Sequence, residues 1–509
     1  MAQISTPALP TQSLTDDSLI TQRRQWRTLL GFVFLIGAGL LVYSQTMAFV
    51  WDEGFHLLAA QLIDKGKVPY VDFCFPQTPL NAYWNAFWLA LFHQSWRITH
   101  VWTALEITGA TFLAADYTFR VFPIAQWRLV AALAVAAFIG LNEVIVQFGN
   151  SGQAYAIGLL LTTAAFRLTV AALRRESRLL SLLAGLSSGA AAACTLLTAP
   201  VTPVLLAWLV FYSSKAGRWA KAIAFAVGTV IPFTPVIALW IRYPRQVFFN
   251  VIQYQALFRR VKWEGATTHD IDVLSAWLDS TPALLLGSLG IAGFLYVLKR
   301  REWDEERRRE IYLSSALVAA LALYIATAHP TFQRYFLFAI PFASIVAAVG
   351  LFSVAARLWG PERPRVAGAL VLTLLTLAVA RSLFDDRDST TWRDYQKIAA
   401  KVASVTPKGS EIYVDELVYF LLNRTPPFGM EFSYAHKLDL PPAQEKLLHI
   451  VSEKKLNEQV KNGQYYTVQT CKDDRIDEMR LPELFPNRED IEDCSIFWGK
   501  VKPLPPEKK

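Results

Sequence analysis

The chain has 509 residues, of which 53% are hydrophobic and only 18% charged, with a formal net charge of +8. This is too apolar for a soluble globular protein of such length, so a purely water-soluble enzyme is excluded and a bilayer is implied. Residues 1–384 carry 31 Lys and Arg against 20 Asp and Glu, net +11, whereas residues 385–509 carry 19 against 22, net −3; only the first part is membrane-like, its basic excess suits cytoplasmic loops, and no nucleic-acid module is visible.

Residues 1–28 are polar and end in Arg23, Arg24 and Arg27, and the apolar run after them lacks a small-residue cleavage site. They read as a cytoplasmic tail followed by a retained first helix. Apolar runs near 29–49, 98–119, 129–146, 154–172, 179–197, 200–213, 221–241, 280–298, 311–328, 336–356 and 366–383 predict about eleven transmembrane helices within 29–384. The segment 80–92, LNAYWNAFWLALF, would rise only about 20 Å as a helix, short of the ~30 Å hydrocarbon core, and its aromatics suit an interface. Charge favours the same assignment. If 80–92 does not span, the loops on one side hold 20 Lys and Arg and the short loops opposite hold 9; if it spans, the counts become about 10 and 19 and the positive-inside bias reverses. The first loop at 50–97, the loop at 242–279 and the tail at 385–509 are therefore expected on the extracytoplasmic side.

The run KRREWDEERRRE at 299–310 reads as a solvated connector. The tail reads as a small α/β domain: TWRDYQKIAAKVASV as an amphipathic helix, TPKGS as a turn, and EIYVDEL, QYYTVQT and CSIFWGKV as strands, with no phosphate-binding glycine loop. Of the four cysteines, Cys74, Cys194, Cys471 and Cys494, none falls at metal-ligand spacing. If QYYTVQT and CSIFWGKV pair, Cys471 and Cys494 could bridge; otherwise they are two separate thiols.

Chemistry concentrates in residues 51–84, WDEGFHLLAAQLIDKGKVPYVDFCFPQTPLNAYW, where Asp52 and Glu53 leave the first span ahead of a stretch with the period of an interfacial helix. A half-desolvated carboxylate there is a candidate general base; the plainer reading is that Asp52 caps the helix and Glu53 occupies its first turn. The same side carries Arg242, Arg245, Arg259, Arg260 and Lys262, then His329, Arg334 and Tyr335 in HPTFQRY. Arginine grips phosphate through paired donors, so these are candidate phosphate ligands, the plainer readings being lipid anchoring or pairing with local acids. Arg97, His56, Asp72 and Gln77 complete the candidate substrate-binding set.

WDEG at 51–54, VPYVDFCFPQTPLNAYW at 68–84, Arg97, GLSSGAAAACTLLTAP at 185–200, RYFLFAIP at 334–341 and GSEIYVDELVYFLLNRTPPF in the tail together resemble the GT-C superfamily of membrane glycosyltransferases. The resemblance is to the branch of protein O-mannosyltransferases and the lipid A aminoarabinose transferase, glycosyltransferase family 39-like. It implies a bacterial inner-membrane enzyme of the cell envelope that takes a sugar from a polyprenyl-phosphate donor and passes it, with inversion, to a hydroxyl on a lipid, glycan or protein acceptor. It also implies Asp52 as base and Glu53 as its support or as an acceptor ligand. Two positions depart from the family: Gln77 stands where relatives often carry lysine, and Asn150 and Gln153 stand where they carry aspartate. No cofactor is called for, and divalent-metal dependence is left open. The alternative is a transporter or flippase of a glycolipid or other amphiphile, which would place ionisable groups near the midplane and show repeat symmetry. Glu106, Asp116, Glu143 and Arg167 fall in or near spans, but no repeat is visible.

Overall fold

The computed structural model describes residues 16–47, 52–276, 279–299, 304–387 and 389–501. Trp51 of WDEG, residues 1–15 of the N-terminal tail and residues 300–303 of the charged connector lie outside this set. In chain order the membrane part contains α1 (Asp16–Thr46), α2 (Glu53–Asp64), α3 (Leu80–Phe92), α4 (Trp96–Val121), α5 (Arg128–Gly140), α6 (Glu143–Gly149), α7 (Tyr155–Arg174), α8 (Arg178–Cys194) and α9 (Val201–Tyr212). It continues with α10 (Arg218–Val230), α11 (Thr234–Arg242), α12 (Pro244–Phe248), α13 (Ala266–Ala276), α14 (Thr281–Lys299), α15 (Glu305–Thr327), α16 (Ile340–Leu358) and α17 (Pro364–Asp385).

Among the described residues seven helices are long and apolar enough to cross a bilayer, or eight if α5 and α6 count as one bent span; α8 and the Leu196–Tyr212 helix are apolar but shorter. The chain is an integral membrane protein, mainly helical. The expected span at 129–146 is broken by 49° between α5 and α6, where Asn142 accepts the Val144 amide at 3.1 Å and starts a new helix. GLSSG sets another close contact. A Cβ on Gly185 would lie 2.0 Å from the Phe225 carbonyl and one on Gly189 2.2 Å from that of Thr229, so the α8 and α10 backbones meet where only glycine fits.

Several ionisable groups in the bundle pair within it. Asp116 binds Arg120 at 2.8 Å and Arg167 at 3.1 Å, Glu310 accepts from Arg174 and Tyr117 at 2.7 Å each, and Glu106 accepts from Trp84 at 2.8 Å.

The first loop departs from expectation in one respect. Helix α2 does not lie open on an interface: Glu53 through Leu62 are all buried. The tail roofs it, since a Cβ on Gly54 would come within 3.1 Å of the Leu417 amide, and the Gln61 side-chain amide donates to the Phe420 carbonyl at 3.0 Å. The α3 helix, 13 residues long, packs against α2.

The tail begins with α18 (Trp392–Val405), opened by a capping box between Thr391 and Asp394. Trp392 stacks on Trp96 with ring centroids 4.3 Å apart and so docks the tail on α4. A four-stranded sheet follows in the order β1 (Ile412–Tyr413), β2 (Thr467–Thr470), β4 (Cys494–Trp498), β3 (Asn487–Ile491), parallel between β1 and β2 and otherwise antiparallel. EIYVDEL is only partly a strand, because α19 (Glu416–Leu421) starts within it. NREDI, which forms β3, is too polar to signal a strand; it is a largely exposed edge. Thr470 pairs with Ser495, which brings the adjacent Cys471 and Cys494 together in a disulfide with Cα atoms 3.9 Å apart. In the loop-entropy account a closed loop of this size contributes on the order of 3 kcal/mol. Cys74 and Cys194 are buried thiols.

Candidate functional site

Asp52 stands at the N-cap of α2 with helical backbone angles, φ −66° and ψ −12°, yet its side chain makes no capping hydrogen bond. The carboxylate turns away from its own helix. Its Oδ2 accepts from Arg334 Nη2 at 2.6 Å and its Oδ1 from the Tyr434 hydroxyl at 2.7 Å. The Asp52 and Arg334 side chains are 22% and 17% exposed, so the pair is sheltered but reachable.

Arg334 comes from the 3-10 turn Gln333–Ala339 ahead of α16. Its Nε donates to the Tyr155 hydroxyl at 3.2 Å, and its guanidinium lies 4.2 Å from the centre of the Phe332 ring. Next to it Tyr335 accepts a hydrogen bond from Arg259 Nη2. The Arg259 guanidinium lies 5.4 Å from the Phe332 ring and 5.5 Å from Tyr335, and Arg259 follows the π-helical segment Phe249–Phe258. Two guanidinium groups and several phenols therefore gather beside one carboxylate.

Glu53 belongs to a different environment although it is adjacent in sequence. It is fully buried, and its Oε1 meets His100 Nε2 at 2.6 Å and accepts the Gly152 amide at 2.5 Å. The other ring nitrogen of His100 faces the Ser44 carbonyl at 2.6 Å. Asn81 and Asn85 donate to the Gly152 carbonyl at 3.2 and 2.6 Å, so this network ties the first loop to the 147–153 connection. Among the described residues Glu53 Oε2, His56 Nδ1, Asn150 Oδ1 and Gln153 Nε2 are buried without a protein hydrogen-bond partner. Burial pushes the His56 imidazole down to about 4, against a smaller upward effect from Asp52, so His56 is neutral at physiological pH.

The remaining sequence candidates lie apart from the Asp52 carboxylate. Arg97 is exposed, donates to the Gln45 carbonyl at 3.2 Å and covers Trp96 at 4.5 Å. His329 pairs with Asp270, whose second oxygen accepts the Thr331 amide at 2.6 Å. Arg260 is exposed. Lys262 reaches Glu453 of the tail at 3.3 Å, Asp72 accepts the Val68 amide at 2.7 Å, and the Gln77 carbonyl accepts from the Tyr70 hydroxyl at 2.6 Å.

Tyr155 and Tyr434 escape a reading of the sequence because nothing local marks them, and each reaches the site only through packing; Phe332 lies inside HPTFQRY but is an apolar ring that no chemical role singles out there. No group of three or more His, Cys, Asp or Glu side chains among the described residues is placed to hold a metal ion. A cavity of about 380 Å³ adjoins the Arg334 turn, lined by Glu143, Asp279, Gln333, Leu337, Ser382 and Asp386; neither Asp52 nor Arg334 lines it.

No protein-family model matches the chain, and no curated protein matches it. Solved structures do. The structure is similar to ArnT from Cupriavidus metallidurans bound to undecaprenyl phosphate, with a TM-score of 0.64 and 13% identity over 95% of this chain and 98% of that one. The apo state of the same protein gives 0.64 and 13% over 92% and 98%. Archaeal oligosaccharyltransferase AglB from Archaeoglobus fulgidus, in complex with an inhibitory peptide and a dolichol-phosphate, gives 0.49 and 12% over 79% and 64%.

Proposed function

We propose that this chain, which has the GT-C fold, is a membrane glycosyltransferase that moves a sugar from a polyprenyl-phosphate carrier to an acceptor hydroxyl, with Asp52 as general base. One observation carries the reading: a sheltered carboxylate at the N-cap of α2, held by Arg334 and Tyr434, stands near a second arginine–tyrosine pair. The ArnT structure has undecaprenyl phosphate bound, and this chain has cations suited to the same chemistry.

In this mechanism the acceptor hydroxyl gives its proton to Asp52 while its oxygen bonds to the anomeric carbon. The bond from that carbon to the phosphate oxygen breaks, and the phosphate leaves with the electron pair. Arg334 and Arg259, with the Tyr335 hydroxyl, neutralise the charge that develops on the phosphate. A single displacement inverts the anomeric centre. Glu53 supports the site from behind through His100 and Gly152 rather than by sharing a proton with Asp52.

Undecaprenyl phosphate added to the purified protein is expected to raise its melting temperature in a dose-dependent way, whereas undecaprenol, which lacks the phosphate, does not. Equal effects of the two, or none, would overturn the donor class.

The reading places the site, the first loop and the tail on the extracytoplasmic face, with residues 1–28, 29–384 and 385–509 as tail, membrane domain and α/β domain. Single cysteines at Ser95 and Thr267 should react with an impermeant thiol reagent added to intact cells, and one at Glu305 only after permeabilisation. Labelling of position 95 from the cytoplasm alone would reverse the topology.

A further inference from the structure

The tail enters the site through one side chain. Tyr434 sits in the 3-10 turn Ser433–Ala435, within the otherwise non-helical stretch 422–441. The backbone of that turn is anchored at two points: the Ser433 amide donates to Glu416 Oε1 at 2.7 Å, and the Tyr434 carbonyl accepts from the Tyr254 hydroxyl at 3.2 Å. The ring is held less firmly. It is 43% exposed, and its nearest aromatic neighbours, Phe432 and Phe55, have centroids 5.5 and 6.3 Å away. The side chain can therefore rotate off Asp52 while the turn stays in place.

Of the two Asp52 oxygens, Oδ2 is committed to Arg334, so Oδ1 is the one that can take up a proton. A neutral hydroxyl donating to it at 2.7 Å is what an acceptor alcohol would present immediately before transfer. Although the residue as a whole is 43% exposed, protein atoms crowd its hydroxyl end against Asp52, and this desolvation, then the charge of Asp52, push the hydroxyl far above its ordinary range, so it keeps its proton and remains a donor.

We propose that Tyr434 is a positioning residue that stands in for the acceptor hydroxyl. In the resting protein it fills the acceptor's place on Asp52 Oδ1, and the acceptor displaces it on binding. This proposal rests on Asp52 being the base. Its chemical purpose follows from the donor: a sugar on a phosphate leaving group can be lost to water, and a base left open at the membrane surface would accelerate that loss. In the side reaction a water oxygen bonds to the anomeric carbon, the bond to the phosphate oxygen breaks with its electrons going to phosphate, and Asp52 takes the water's proton.

The test measures release of undecaprenyl phosphate without acceptor from undecaprenyl-phosphate-linked glucose, mannose and N-acetylglucosamine. Tyr434→Phe keeps the ring and removes the hydroxyl, and is expected to raise release about tenfold, the equivalent of one hydrogen bond. Asp52→Asn should abolish release in both backgrounds. Equal release by wild-type and Tyr434→Phe, with Asp52→Asn inactive, would overturn the stand-in role alone. Release that survives Asp52→Asn would overturn the base assignment beneath it.

A second measurement needs no donor. Carbodiimide-driven coupling of glycine ethyl ester to Asp52, read by peptide mass spectrometry against the exposed carboxylates of the same sample, should rise severalfold in Tyr434→Phe and in Tyr434→Leu. Unchanged coupling in variants that melt like wild-type would overturn the proposal.

Discussion

Replacing Asp52 by asparagine is expected to lower turnover by about 10²–10⁴, the usual cost of removing a general base, while donor binding is retained. The amide preserves the shape but cannot take the proton. Asparagine can still accept from Arg334 and, with its amide group toward Tyr434, donate to that hydroxyl, but it gives up the charge of the Arg334 pair, and a modest fall in melting temperature should accompany the loss. Steady-state transfer and a thermal melt on the same preparation separate the two effects. A turnover loss below about tenfold would remove Asp52 from the role of base.

Glu53→Gln should show the opposite balance. Its carboxylate oxygen binds His100 and the Gly152 amide in a fully buried setting, so the amide, which weakens a charge-assisted network, is expected to cost stability of ~1–3 kcal/mol, with a smaller effect on turnover per folded molecule.

Arg334→Ala should weaken undecaprenyl phosphate binding about tenfold or more, corresponding to the loss of one charge-assisted hydrogen bond of ~1.5–3 kcal/mol. Arg334→Lys should fall between the alanine variant and wild-type, because an ammonium keeps the charge but cannot hold two oxygens in one plane. Turnover should drop further than binding in both, since Arg334 also fixes Asp52 Oδ2 and lies over Phe332. The stability cost should lie between the ~1 kcal/mol of an exposed pair and the ~3–5 kcal/mol of a buried one. Titration of undecaprenyl phosphate into the three proteins decides the matter. Unchanged affinity in both variants would move phosphate recognition to Arg259 and Tyr335.

Part of the site is legible in the primary sequence. WDEG marks Asp52 because an acidic pair directly after an apolar run is rare enough to notice, and RYFLFAIP marks Arg334 and Tyr335 at the mouth of the next-to-last apolar run. The basic cluster after residue 242 is visible as a set, but its members separate in space: Arg259 meets Tyr335, Lys262 reaches Glu453, and Arg260 faces outward. Spacing could not make that division, because the three lie within four positions and differ only in where the segment after the π-helix turns.

Composition and period alone determined that this is a mainly helical membrane protein, that 80–92 is a short helix and that a tail with a small sheet follows, while the number of spans was not fixed by them. Those properties are sums over neighbouring residues, governed by transfer of apolar side chains out of water and by the helical and strand repeats. Only the tertiary structure decided that Asp52 leaves its helix for Arg334, that Glu53 turns the other way to His100, and that α2 is roofed by the tail. The partners of Asp52 stand 282 and 382 positions away along the chain. A contact at that separation leaves no periodic trace in either segment, because it is made by the packing of whole helices and not by any local preference.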